Sequence, residues 1–382
     1  MIRSLIRVLA AGAFGITVTV VADTQLACAE DFAAAADALV LYLMSTDTVP
    51  GAALALIKDG KIVLEKGYGL RDLETKAPVT KATLFNVGSI SKSFTALGIA
   101  QLVDRQQADL DASITKYVPD LQLSEPQVVQ ALTLRRLLSH TSGLPADERW
   151  PPQVPPTRDG IVAEFANIPF DAAPGIKFQY CSRCIVLAAY ILERITGQSW
   201  EAYTRAQIFD PLGMITASFG PHGLEQAVDH ARPYRHEAAA GQVTVPWSRL
   251  QYLEPLAPGG GIDASVDEMA RYALFQLGDG TIEGHRLLST EMMAALHGPE
   301  IAVGDDWSPC ARREDLHYAL GWFTADKHGA HLVFHNGANP GFRAAIFLAP
   351  SSKSGVVVLI NGEADHFNEV TTRTLLERLL RE

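Results

Sequence analysis

Phe85-Asn86-Val87-Gly88-Ser89-Ile90-Ser91-Lys92 is the stretch on which the reading of this chain turns. Thr83 to Val87 is strand-like, Gly88-Ser89 breaks the pattern, and an apolar helical run follows from Ser91 to Gln107. A serine at a strand-to-helix junction has its own N–H among the free donors of a helix start, which suit an oxyanion. Residues three apart share a helix face, so Lys92 is expected to bring its amine beside the Ser89 hydroxyl. An amine so placed acts as a general base once burial or neighbouring charge lowers its proton affinity. Spacing alone is a cheap signal, because Ser113-Ile114-Thr115-Lys116 repeats it. That copy lies in a polar stretch ending at Pro119 and reads as a solvated turn.

Around this segment the chain alternates between strand and helix. Upstream, Phe32 to Met44 is helix-like, and Leu54–Lys58 and Lys61–Lys66 flank Asp59-Gly60, a strong hairpin signal. Downstream, Leu110 to Ala257 reads as mostly helical, broken by proline-containing loops. The longest loop, Pro145 to Thr157, holds five prolines and Trp150, the composition of a surface loop that could cover a site. Gly259-Gly260-Gly261 reads as a turn. The last part returns to strands at His331–His335, Phe342–Leu348 and Gly355–Ile360, with a turn at Pro350–Lys353, and a helix over Phe367–Leu380 closes the chain. Strands at both ends with helices between them predict an α/β (α+β) fold in which both termini build one antiparallel sheet. The expected sheet lobe covers about 30–105 and 258–382, and the helical lobe about 106–257.

The 382 residues are 48% apolar, enough for a sizeable core, with a net charge of −11. That charge argues against a nucleic-acid partner, since phosphate binding relies on Lys and Arg. The first 29 residues predict a cleaved export signal. Arg3 and Arg7 precede an uncharged apolar run, Val8 to Ala22, and Ala27-Cys28-Ala29 supplies small residues for cleavage. The run is too short to span a membrane and is followed by polar residues. A secreted or periplasmic location follows, with no membrane span in the mature chain. Of the three remaining cysteines, Cys181-Ser182-Arg183-Cys184 has no second ligand pair for zinc. Buried thiols, or one bridge to Cys310, is the expectation.

His-Glu-x-x-His, a phosphate loop, a dinucleotide fingerprint and Gly-x-Ser-x-Gly are all absent from the sequence, so no metal and no cofactor is expected. The Ser89 segment, however, resembles the nucleophile segment of the serine β-lactamase and penicillin-binding protein superfamily. The similarity is greatest to its class C β-lactamase, D-Ala-D-Ala carboxypeptidase and esterase branch. Leu134-Arg-Arg-Leu-Leu-Ser-His140-Thr-Ser-Gly143-Leu-Pro, Pro174-Gly-Ile-Lys-Phe-Gln-Tyr180, Asp210-Pro-Leu-Gly-Met214, Gly321-Trp322 and His335-Asn-Gly337-Ala-Asn-Pro-Gly341-Phe agree with that branch in order.

The resemblance implies a β-lactamase/transpeptidase-like fold and assigns roles. Ser89 is the expected nucleophile, Lys92 its proton acceptor, and Tyr180 the proton relay of the second motif. The N–H groups of Ser89 and Ala338 are expected to form the oxyanion hole. His335-Asn336-Gly337 is the third motif, with His335 polarising the site or meeting a substrate carboxylate and Gly337 letting backbones approach closely. Two departures stand out. The second motif usually reads Tyr-x-Asn but is here Tyr180-Cys181-Ser182, so Ser182 stands where an amide would hold the substrate. His335 stands where β-lactamases of this branch usually carry Lys. The implied function is an exported serine hydrolase cleaving a small-molecule or peptide amide or ester, carboxypeptidase-like or esterase-like. The alternatives are a class C-like β-lactamase and a penicillin-binding or sensor protein that acylates without turnover.

Overall fold

The computed structural model describes residues 32–282, 284–304, 315–327 and 329–381. The export-signal region and Cys310 lie outside them.

Nine strands form one sheet: β1 (Gly51–Lys58), β2 (Lys61–Asp72), β3 (Ala77–Pro78), β4 (Ile301–Ala302), β5 (His317–Tyr318), β6 (Phe323–Lys327), β7 (Ala330–Asn339), β8 (Phe342–Ala349) and β9 (Ser354–Ile360). Their spatial order is β4-β5-β6-β7-β8-β9-β1-β2-β3. Every pairing is antiparallel, and the two ends of the chain meet where Ala52 pairs with Ile360. Asp59 and Gly60 both take positive φ, as a two-residue hairpin joining β1 to β2 demands.

Five helices matter to the site: α1 (32–46), α2 (Ser91–Asp104), α3 (Ser182–Thr196), α4 (Val266–Gln276) and α5 (Asp365–Arg381). Alternation along β1 sorts the two faces of the sheet. Ala52, Leu54 and Leu56 pack with α1 and α5 in one apolar cluster, while Ala53, Ala55 and Ile57 join the interior cluster with α2 and α4. Helix α2 is buried from Ser91 through Leu102, so its apolar residues are not confined to one stripe. It forms the floor between the sheet and the middle helices.

The middle of the chain contains more strand than the sequence suggests. Tyr234–Glu237 pairs with Gly241–Thr244, and Phe85–Asn86, Ile262–Ala264 and Ser218–Phe219 form a small separate sheet. The strand expected over Thr83–Val87 is therefore only a two-residue pairing outside the main sheet. Such short pieces carry too few residues for a period to register. Gly259 and Gly260, read as a turn, instead end a helical turn, Ala257–Gly260.

The cysteine expectation is corrected. Cys181 and Cys184 are bonded to each other, not left as thiols or bridged to Cys310. The bridge closes the first turn of α3, where Cys181 is the N-cap residue.

Candidate active site

Gly88 to Ile90 forms a single 3-10 turn that runs directly into α2. Lys92, one helical turn on, is fully buried, and its Nζ lies 3.0 Å from Ser89 Oγ. The same Nζ donates to the Gly259 carbonyl at 2.6 Å. Burial lowers the Lys92 pKa to about 8, against an opposing pull from the Asp147 carboxylate. A neutral amine held by Gly259 keeps its lone pair for the Ser89 proton. The other Ser-x-x-Lys copy is a surface 3-10 turn in which Ser113 caps Thr115 N–H, as its polar surroundings imply.

Tyr180 sits just before α3, with its ring centroid 4.6 Å from Lys92 Nζ. Its hydroxyl hydrogen-bonds with Ser89, and burial pushes the phenol pKa up, so Tyr180 is protonated across the working range. His140 lies against it at 4.4 Å between ring centroids. His140 Nδ1 accepts from the Cys181 N–H at 3.1 Å. Burial holds that imidazole well below its ordinary pKa, helped by the Lys92 charge. The second motif is thus clamped by an imidazole acceptor on one side and the disulfide on the other.

The third motif lies on β7. A Cβ on Gly337 would stand 2.0 Å from the Val87 carbonyl oxygen, and one on Gly88 would stand 2.7 Å from the Ala338 nitrogen. Both glycines are required for this backbone-to-backbone contact. Asn339 pairs with Phe342 across a two-residue turn, so by antiparallel alternation the Ala338 N–H points away from β8. The pairing of β7 with β6 begins at Phe334 and leaves that side open. The Ala338 N–H therefore faces the nucleophile turn beside the Ser89 N–H, a two-donor arrangement suited to an oxyanion. Asn86 ties the two halves together: its Oδ1 accepts from Gly88 N–H at 3.1 Å and from Asn339 Nδ2 at 2.6 Å.

His335 is 1% exposed. Its Nδ1 is 2.7 Å from the Asn336 carbonyl, which can only accept, so Nδ1 carries the proton and Nε2 accepts from the Tyr318 hydroxyl at 3.1 Å. Burial, aided by the Lys92 charge, lowers its pKa to about 3. The ring is held neutral and both nitrogens have partners within the protein, while His335 still lines the cavity. Asn336 and Ala338 are exposed on the cavity wall.

Ser182 occupies the missing asparagine's position, with a different chemistry. Its Oγ donates to Asp147 Oδ2 at 2.6 Å, and its N–H donates to Asp147 Oδ1 at 2.7 Å. Asp147, Tyr318, His140, Gly259 and Asn86 are site residues that the sequence reading did not assign. Asn86, His140 and Gly259 stood inside quoted stretches without a role, and Tyr318 and Asp147 stood outside any motif. Asp147 sits in the proline-rich loop with no spacing to mark it.

Ser89, Tyr180, Ser182, His335 and Ala338 all line one cavity of about 890 Å³. Its lining also includes apolar side chains, Phe323, Phe334 and Phe347 from one packing cluster and Leu253 and Leu256 from the other. Among the described residues no His, Cys, Asp or Glu cluster could hold a metal, and no helix is long and apolar enough to cross a membrane.

A buried lysine paired with a serine, a tyrosine beside them and paired N–H donors, on a sheet made from both chain ends, are the arrangement of the β-lactamase and penicillin-binding class of proteins. The chain belongs to the Beta-lactamase family, whose sequence model matches residues 36–380. Penicillin-binding protein 4 of Amycolatopsis lactamdurans is 30% identical over 322 residues, covering 82% of this chain and 81% of that protein. Protein flp of Staphylococcus aureus (strain COL) is 26% identical over 339 residues, 86% of this chain, and the match spans 63% of flp's length. Among solved structures, the octameric penicillin-binding protein homologue from Pyrococcus abyssi superposes with a TM-score of 0.79 at 27% identity, covering 92% of this chain and 78% of that one. The D-amino acid amidase from Ochrobactrum anthropi SV3 shares the fold, with a TM-score of 0.74 at 23% identity over 92% and 98% of the two chains.

Proposed function

We propose that this protein is an exported serine hydrolase that cleaves esters or small amides through an acyl-Ser89 intermediate. Neutral Lys92 takes the Ser89 proton as Oγ attacks the substrate carbonyl carbon. The Ser89 and Ala338 N–H groups hold the resulting oxyanion, each worth about 3 kcal/mol in such sites. When the adduct collapses, the scissile C–O or C–N bond breaks, and Tyr180 passes a proton to the leaving group, regaining one from the Lys92 ammonium. Water then repeats the sequence on the acyl-enzyme. The observation that carries this reading is the 3.0 Å approach of a fully buried lysine to the serine hydroxyl.

The neutral, fully engaged His335 favours an esterase- or amidase-like enzyme over a D-Ala-D-Ala carboxypeptidase or class C-like β-lactamase, whose substrates present a carboxylate. Likeness to penicillin-binding protein 4 keeps acylation by a β-lactam without turnover as the second reading. Export is supported by the basic start, the apolar run and Ala27-Cys28-Ala29. The Cys181–Cys184 bridge suits an oxidising compartment.

The test is intact-mass spectrometry with a fluorophosphonate, a penicillin and p-nitrophenyl acetate, on the wild type and Ser89→Ala. Labelling at Ser89 with ester turnover is expected. A stable penicilloyl adduct without ester turnover selects the second reading, and labelling that survives in Ser89→Ala moves the nucleophile elsewhere.

A further inference from the structure

The wall beside the nucleophile is unusual in what it offers a ligand. Ser182 has two protons to donate, and both go to Asp147. What remains at that spot is lone pairs: those of Ser182 Oγ and the unused ones on both carboxylate oxygens of Asp147. An asparagine here would offer an N–H donor; this pair offers none. The face is acceptor-only and carries a negative charge.

The cations of the same cavity do not neutralise it. Arg183 is held by the Glu164 carboxylate at 2.8 Å and the Pro151 carbonyl at 2.9 Å. Arg343 is held by Asp365 at 2.6 Å and by the Phe342 and Asn339 carbonyls. His335 is neutral, and Lys92 is turned to Ser89 and Gly259. Among the described residues, the two hydrogen bonds that reach the Asp147 carboxylate both come from Ser182.

We propose that Asp147 and Ser182 form a subsite for a primary ammonium group carried by the substrate near its scissile carbonyl. The substrate class is then an ester or amide of an amino acid with a free amine, its side chain against the aromatic wall of Phe323 and Phe334. An ammonium has three donors and no acceptor, the complement of this surface. The inference rests on the acyl-Ser89 reading and deepens it. It replaces the family's amide-reading asparagine with a charge-reading pair at the same place.

The test compares alanine p-nitroanilide with its N-acetyl counterpart on the wild type, Asp147→Asn and Asp147→Ala, with fluorophosphonate labelling of Ser89 run on each. The readout is the ratio of kcat/KM values, in which a general effect on folding or on Lys92 cancels. The free amine is expected to be preferred by about tenfold or more, equivalent to about 1.4 kcal/mol, and the preference is expected to vanish in both variants, chiefly through KM. If neither anilide turns over, protection of Ser89 from labelling by alanine amide against N-acetylalanine amide gives the same ratio. A wild-type ratio at or below one overturns the proposal. So does a ratio unchanged in the variants, which would make Asp147 a cap tying its loop to α3. Failure of wild-type Ser89 to label strikes the hydrolase reading instead.

Discussion

Lys92 Nζ stands 3.0 Å from Ser89 Oγ while its side chain is fully buried. The charged form is disfavoured there, and the pKa falls to about 8. In the proposed mechanism the base is the neutral amine, so acylation should rise with pH through that value and level off above it. Lys92→Arg keeps a cation but cannot deprotonate in the working range, and should slow acylation on the order of a thousandfold or more. Burst-phase labelling of Ser89 across pH checks both. A profile flat through neutrality would remove Lys92 as the base.

Asp147 acts on the same lysine from the cavity wall, and its negative charge raises the Lys92 pKa. His140 and His335 also face Lys92, but both are held neutral by burial. Asp147→Asn removes a carboxylate that favours the ammonium form. On a neutral ester such as p-nitrophenyl acetate, the acid limb should therefore move to lower pH in the variant. A shift in the opposite direction would mean that Asp147 reaches Lys92 only through the loop it anchors.

Gly337 is pressed so close to Val87 that even a methyl group would overlap the carbonyl oxygen. Gly337→Ala must push β7 off the nucleophile turn and carry the Ala338 N–H with it. Losing one oxyanion donor costs about 100- to 1,000-fold in kcat in comparable sites. The expected result is a loss of that order in ester turnover, while far-UV circular dichroism stays unchanged, because β7 keeps its pairing with β8. Unimpaired turnover would remove Ala338 from the oxyanion hole.

Much of this architecture could be read beforehand, for physical reasons that also explain what could not. The Asp59-Gly60 turn and the β-branched run of β9 announce themselves within a few residues, because local backbone preference and burial agree there. Ser89, Lys92 and Gly337 were legible because their chemistry is bound to a local spacing. Asp147 and Tyr318 were not, since each acts on a residue distant in sequence: Asp147 on Ser182, Tyr318 on His335. The neutrality of His335 was equally hidden. An ordinary imidazole titrates near neutrality, and burial with the Lys92 charge is what moves this one below that range.

Asp263 exposes a last consequence of that hidden burial. It is fully buried beneath the nucleophile turn, accepting from Asn86 Nδ2 at 2.9 Å and from Ser218 Oγ at 3.1 Å. Burial raises its pKa well above the ordinary carboxylate range, further helped by the Glu254 charge and only partly opposed by those hydrogen bonds. A carboxyl whose folded pKa is raised stabilises the fold at low pH and loses that contribution as pH rises through the folded value. Asparagine has the same shape and the hydrogen-bonding pattern of the neutral acid, with its carbonyl toward Asn86 and its amide toward Ser218. Asp263→Asn should therefore be more stable than the wild type at neutral pH, with an advantage that shrinks toward acid. Urea midpoints for both proteins at several pH values measure it. Because Asn86 keeps its acceptor in the variant, Gly88 and Asn339 stay tied and ester turnover should survive. A stability difference independent of pH would mean that Asp263 titrates alike in the folded and unfolded chain, and the buried carboxyl would then exert no pH control on this site.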